Sequence, residues 1–227
     1  MTLGEPREHY ESLGSTNDRA RYLAEHGAPH GALVTAGEQT AGRGRQGRGW
    51  ATPAGQALAA SLVLREFDAL LPLRAGLAVA DVAGPSALVK WPNDVWLDGR
   101  KVAGILVEAR SEPRWAVLGI GVNVAIDLTA LPNEAAAVAG SLGRSPEQIE
   151  PTLTELLQAL ERRLAEESPV TLAALRERDA LLGRHVSWQD GEGTGDGIDD
   201  AGALRVTLAD GGTRTLSAGE VTLSRDP

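Results

Sequence analysis

The chain has 227 residues, 42% of them hydrophobic, with no cysteine and a formal net charge of −9. Such a length supports one large domain, or one domain with a small appendage, and the missing cysteines exclude a disulfide framework and a thiolate nucleophile. No apolar run reaches membrane-spanning length and no signal-peptide pattern opens the chain, so a cytoplasmic protein without a membrane partner is expected; the acidic balance argues against nucleic acid.

In chain order, residues 1 to 14 read as an irregular lead with a short strand near His9 to Leu13. Ser15 is a good N-cap for a helix running to about Gly27, with Asp18 in its first turn. Ala32 to Glu38 and Gln56 to Arg65 read as strands, and Pro72 to Ala83 as a helix. Leu88 to Trp91 is a short extended piece stopped by Pro92. Asp94 to Leu97 and Lys101 to Glu108 flank Asp98-Gly99, a two-residue hairpin signal, and Trp115 to Asn123 is the next strand.

Residues 124 to 133 form a loop, followed by a short helix over Glu134 to Leu142. Ser145-Pro146-Glu147-Gln148 carries a capping box and opens a helix to about Glu167, with Ile149, Leu153, Leu156, Leu157, Leu160 and Leu164 as its apolar stripe. Pro169 breaks it, and Thr171 to Leu182 makes another helix ended by Gly183. Beyond that boundary, His185 to Trp188, Leu204 to Leu208, Thr213 to Leu216 and Val221 to Leu223 are short strands of a small β module. The Gly/Asp-rich stretch 190 to 202 reads as a long turn. The four histidines (His9, His26, His30, His185) have no metal-ligand spacing.

Two features carry chemistry. Gln39 to Trp50, QTAGRGRQGRGW, alternates Gly42, Gly44, Gly47 and Gly49 with Arg43, Arg45 and Arg48. Glycine makes such a run poor helix and poor strand but lets bare N–H groups approach an anion, while guanidinium forks grip phosphate or carboxylate at two points. Read alone, the same run also suits a solvated basic loop or an RNA-binding tail. Within an acidic chain it points to a small anionic ligand. Secondly, of 22 basic residues 20 are arginine and two are lysine, Lys90 and Lys101, which stand eleven positions apart. Lysine retained where arginine is otherwise used suggests a compact charge that must reach a point.

With GRGRQGRGW, KWPNDVWLDGRKVAGILVE and GIGVNV in this order, the sequence resembles the biotin protein ligases over nearly its whole length. The resemblance implies an α+β fold: a mixed sheet with flanking helices over residues 1–183, of the class II aminoacyl-tRNA synthetase type, and a C-terminal SH3-like barrel over 184–227. It implies formation of biotinyl-5′-AMP from biotin and ATP with Mg2+, then transfer of biotin to a lysine of a biotin carboxyl carrier domain. Lys101 and Arg45 would be catalytic. Ser15, Thr16, Asn17 and Gln39 would bond the ureido ring, with Gly42, Arg43, Gly44, Gly104, Gly119 and Val122 completing the biotin site. Arg43, Arg45, Arg48, Trp50, Lys90, Asn93, Asp94 and Asn123 would hold ATP and the adenylate, Asn123 at the adenine. Lys101 is expected to be solvated when the site is empty and so of little weight in folding.

Ligases that double as repressors carry a helix-turn-helix ahead of the Ser-Thr-Asn motif. Fourteen residues precede Ser15 here and hold no such unit, so no DNA binding is expected. The 124–136 loop has no aromatic residue to stack on adenine. A homodimer through a sheet edge is a further family-guided expectation. The alternatives are a lipoate-type ligase, a polyanion-binding protein, and a biotin-binding protein without chemistry.

Overall fold

The computed structural model describes residues 2–51, 53–131 and 136–223. Its larger sheet has seven strands: β1 (Arg7–Leu13), β2 (Leu33–Gln39), β3 (Ala57–Leu64), β4 (Leu88–Lys90), β5 (Asp94–Leu97), β6 (Arg100–Arg110) and β7 (Trp115–Asn123). They lie in the order β1-β2-β3-β7-β6-β5-β4, with β1 and β2 parallel and every other pair antiparallel. The sheet is therefore mixed, as expected.

Strand β3, ALAASLVL, is buried along its whole length because both faces are covered. Leu58, Ala60, Leu62 and Leu64 join the main core under helices α2 (Leu71–Ala83) and α3 (Ile149–Ala165). Val63 instead joins a smaller cluster with Ala20 and Ala24 of helix α1 (Thr16–Glu25), and with Val34, Trp115 and Val117. Side chains alternate along a strand, so Ser61 shares the α1 face with Val63. A helix of ten residues spans about 15 Å, too short to roof that whole face. The uncovered part is the floor of the site described below.

The α1 start is as its sequence suggests. Ser15 caps it by accepting from the Asp18 N–H at 3.4 Å, and Gly27 past its end has φ of +85°. The Asp98-Gly99 hairpin has both residues at positive φ, 51° and 73°, as its turn type requires. The Ser145–Gln148 capping box is present too. It encloses a short 3₁₀ turn, and the α-helix proper starts at Ile149.

Three sequence expectations are corrected. The helix expected over 171–182 is instead helix α4, Ser168–Glu177, with Pro169 in its first turn where a missing N–H costs nothing. Residues 179–182 are not helical: Asp179 bridges to Val89 on β4, Ala180 N–H donates to Val89 O, the chain bends at 180–181, and Leu182 bridges to Gly195. This strap runs between the two sheets. The helix expected over 134–142 falls partly outside the described residues; Ala136 is helical, and only the later part of the expectation is corrected. Its end is extended, Ala139 bridging to Lys101 and Leu142 N–H bonding to Asn123 O.

The third correction concerns 190–202. Residues Gly191–Ile198 form strand β9, between β8 (His185–Trp188) and β10 (Leu204–Thr207). With β11 (Thr213–Leu216) and β12 (Thr222–Leu223) they make a five-stranded antiparallel sheet in the order β11-β10-β9-β8-β12. Its glycines serve packing: a β-carbon on Gly193 would stand 2.5 Å from Thr207 O, and one on Gly195 2.9 Å from the Leu181 carbonyl carbon. Val186, Ile198, Leu204, Val206 and Val221 join the main core, and Trp91 donates its indole N–H to Gly202 O at 3.1 Å. Among the described residues, no helix is long and apolar enough to cross a membrane.

Candidate active site

Where α1 begins, the sheet floor turns to glycine. Gly119 and Gly121 alternate on the α1 face of β7, and Gly104 of β6 is the direct cross-strand partner of Gly121. Trp50 lies over both: a β-carbon on Gly104 would stand 3.2 Å from its ring, and one on Gly121 2.8 Å or less. The indole N–H of Trp50 is buried without a partner among the described residues. These glycines make the floor deep enough for a flat group to lie against the backbone.

At one end of this cleft Ser15, Thr16 and Asn17 are all buried, though polar. Gln39 Oε1 accepts from the Thr16 N–H at 2.8 Å and lies 3.0 Å from Thr16 Oγ1. Ser61 Oγ lies 2.8 Å from Thr16 Oγ1 and 2.7 Å from Asn17 Oδ1. Asn17 Oδ1 can only accept, so Ser61 donates to it. The Asn17 amide in turn donates to Glu108 at 3.0 Å. A chain of hydroxyl and amide groups is thus fixed in orientation at the head of the cleft.

The other end is cationic. Lys101 Nζ stands 2.7 Å from Asp94 Oδ1 and 5.5 Å from the centre of a Trp50 ring. It is therefore an ion-paired residue rather than the solvated ammonium expected, because β5 and β6 set Asp94 opposite Gly104, three residues beyond Lys101. Lys90 is buried and donates to Val221 O at 2.6 Å. Burial pushes its ammonium below the usual lysine range, against the opposing pull of Asp94.

The Gly/Arg run itself is a small hairpin. Arg43 bridges to Gly49, the Gly44 N–H bonds to Arg48 O at 2.7 Å, and Trp50 N–H bonds to Gly42 O at 2.9 Å. Its apex, Gln46-Gly47, takes two positive φ values, 54° and 75°. Arg43 reaches Asp18 at 2.6 Å and Glu108 at 3.1 Å. Arg45 donates to Asn93 Oδ1 at 2.9 Å and to Gly219 O at 3.0 Å, and Arg48 pairs with Glu220. Five cations, Arg43, Arg45, Arg48, Lys90 and Lys101, therefore line one cleft of a protein with net charge −9. Such a cleft concentrates anions.

Of the residues singled out in the sequence, Ser15, Thr16, Asn17, Gln39, Arg43, Gly44, Arg45, Arg48, Trp50, Lys90, Asn93, Asp94, Lys101, Gly104 and Gly119 line this cleft. Gly42, Val122 and Asn123 do not. Gly42 packs under the Trp50 backbone, Val122 is in the core, and the Asn123 amide donates to Gly140 O at 2.8 Å. Sequence reasoning missed Ser61, Gly121 and Glu220, which belong here, and gave Glu108 no role. Ser61 had a signal, as the one hydroxyl in an apolar strand, and Gly121 had its spacing from Gly119. Glu220 had none.

Comparison with known proteins places these features in context. Residues 10–125 match the Biotin/lipoate A/B protein ligase family, and residues 181–224 match the biotin protein ligase C terminal domain. The biotin–[acetyl-CoA-carboxylase] ligase of Mycobacterium tuberculosis is 37% identical over 233 residues, covering 92% of this chain and 85% of that protein. The bifunctional ligase/repressor BirA of Bacillus subtilis is 34% identical over 241 residues, covering 95% of this chain and 74% of that protein. Among solved structures, a biotin protein ligase from Aquifex aeolicus in complex with biotin and ATP superposes with a TM-score of 0.84 at 26% identity, covering 98% of this chain and all of that one.

Proposed function

The chain belongs to the biotin/lipoate A/B protein ligase family, and from that premise we propose that it is a biotin protein ligase acting on a carrier domain of a biotin-dependent carboxylase. In the first step a carboxylate oxygen of biotin bonds to the α-phosphorus of ATP and pyrophosphate leaves. In the second, the neutral amine of a carrier lysine attacks the acyl carbon, and AMP leaves with the bonding electrons.

The observation that carries biotin over lipoate is the fixed chain Thr16–Ser61–Asn17–Glu108 with Gln39 beside it. A ureido ring presents one carbonyl acceptor and two N–H donors, which such a cluster can match. A dithiolane ring presents none, and covering the cluster with it would leave buried polar groups unpaired. In this reading Ser15, Thr16, Asn17 and Gln39 hold the ureido ring, Gly119 lets Asn17 lie close to the sheet, and Gly104 and Gly121 seat the Trp50 indole that walls the cleft. Lys101, on a rigid strand after a tight hairpin, neutralises charge as carboxylate and phosphate approach. The Gly42–Trp50 hairpin covers the anhydride and keeps water from it.

ATP is the nucleotide substrate. Magnesium would arrive with its phosphates, which commonly hold it with one or two carboxylates and water, and Asp94 is a carboxylate of the cleft that fits this use. Its contribution when bound would be neutralisation of phosphate charge. The purified chain, given ATP, magnesium and labelled biotin, should form labelled adenylate and pass the label to an apo carrier domain. Labelling from lipoate instead, or no adenylate from either acid, would overturn this function.

A further inference from the structure

Three cations of the cleft converge on one tripeptide of the C-terminal sheet region. Arg45 donates to Gly219 O at 3.0 Å, Lys90 to Val221 O at 2.6 Å, and Arg48 pairs with the carboxylate of Glu220. The first and last bonds use backbone carbonyls, so they hold Gly219 and Val221 in place whatever their side chains. Glu220 is thereby fixed between them and lines the cleft itself. Val221 is buried in the main core, and β12 follows it directly, paired to β8. The carboxylate is thus delivered by a rigid base.

The pair stands at the mouth of the cleft. The Arg48 side chain is 65% exposed and that of Glu220 33%. An anion that uses Arg48 must first take it from Glu220. A guanidinium engaged by a carboxylate offers phosphate fewer free N–H groups, and the nearby negative charge repels phosphate as well. Pyrophosphate or a triphosphate brings several charges to that contest. A monophosphate held deeper, beside Lys101, never reaches it.

We propose that Glu220 is an intramolecular competitor for the pyrophosphate position at Arg48, which weakens any ligand that places phosphate there, triphosphate and free pyrophosphate alike, and leaves a monophosphate untouched. The proposal rests on the adenylating reading given above. It deepens that reading by assigning the far phosphates of ATP to Arg48 and a gating carboxylate to the C-terminal region. When pyrophosphate leaves, the carboxylate regains Arg48, and release of the product is helped.

The test is calorimetric titration of the full chain with inorganic pyrophosphate and, separately, with AMP. Glu220→Gln should bind pyrophosphate about two- to fivefold more tightly than the parent, the scale of one partly exposed ion pair, with AMP affinity unchanged. Glu220→Asp keeps the charge and should stay close to the parent. Glu192→Gln, which removes an equal charge from an exposed position on β9, should also match the parent. Unchanged or weaker pyrophosphate binding in Glu220→Gln would overturn the proposal, and so would an equal gain in Glu192→Gln, which would mean a general field effect. Loss of folded protein, read by thermal melting, together with weaker binding would show a structural clamp instead. Absence of adenylate formation by the parent would sink the ligase reading, while the titrations would still decide the competition.

Discussion

A β-carbon on Gly119 would stand 2.8 Å from Cγ of Asn17 and closer still to its Oδ1, so the two residues fit together because position 119 has no side chain. Asn17 is itself pinned by Ser61 and Glu108, and cannot simply turn away. Gly119→Ala should therefore push the Asn17 amide out of line, at about 1–3 kcal/mol of overpacking strain. Biotin affinity should fall at least tenfold while ATP affinity changes little. Calorimetric titration with each ligand checks this; an unchanged biotin affinity would remove Asn17 from the recognition site.

Lys101 and Asp94 form an ion pair at the cationic end of the cleft. Lys101→Arg keeps the charge but replaces a compact point with a planar fork, so adenylation should fall on the order of a hundredfold or more, nearly as far as in Lys101→Ala. Stability should respond differently. Lys101→Ala strands a carboxylate whose side chain is 17% exposed and should lower the melting temperature, and adding Asp94→Asn should restore it. A double variant no more stable than Lys101→Ala would mean that the pair is not coupled in folding.

Arg45 fastens the Gly/Arg hairpin to Asn93 on one side and to Gly219 on the other. Arg45→Gly removes both ties and adds backbone freedom. The variant should still make adenylate but release it, and labelling of bystander proteins should rise several-fold in a pull-down with labelled biotin. Retention of adenylate equal to the parent would show that Arg45 does not close the site.

Asp179 lies on the strap between the sheets. Its Oδ1 accepts from the Leu181 N–H at 2.8 Å, and its Oδ2 is buried without a partner among the described residues. Burial raises its carboxyl above the usual value of 3.8, against backbone hydrogen bonds that pull it down. A raised folded value means that its contribution to stability is fully present below 3.8 and is lost as pH climbs through that raised value. Asp179→Asn should thus melt higher than the parent at pH 7, with the difference closing below pH 4. Melting curves that run parallel across this range would refute the assignment.

The sequence was legible where local chemistry decides. The Ser15 cap, the Asp98-Gly99 turn and the capping box at Ser145 use partners within a few residues, so they could be read directly. Strand β9 could not. Glycine at 191, 193, 195 and 197 mimics a turn, and the reason for Gly193 and Gly195 lies in Thr207 and Leu181. The partner of Asn123 was hidden in the same way, since its amide donates to Gly140 O across a loop with no pattern of its own. In the cleft, the motif residues of α1, the hairpin and β6 were visible in sequence. The contribution of Glu220, 172 positions from Arg48, was not, because nothing in a stretch of Ser, Ala and Gly marks the end of a fold back onto a distant site.

The two lysines have one more consequence. Any neutral primary amine that meets an acyl adenylate can attack its acyl carbon, including amines of the enzyme that made it. This chain carries arginine at nearly every basic position, and guanidinium groups do not react in that way. Lys90 is 8% exposed with its amine turned onto the Val221 carbonyl, and Lys101 is engaged by Asp94. No side-chain amine is left lying open beside the reactive intermediate. The fold is built of material that its own product can scarcely label, and the activated acyl group is kept for an amine that comes from outside.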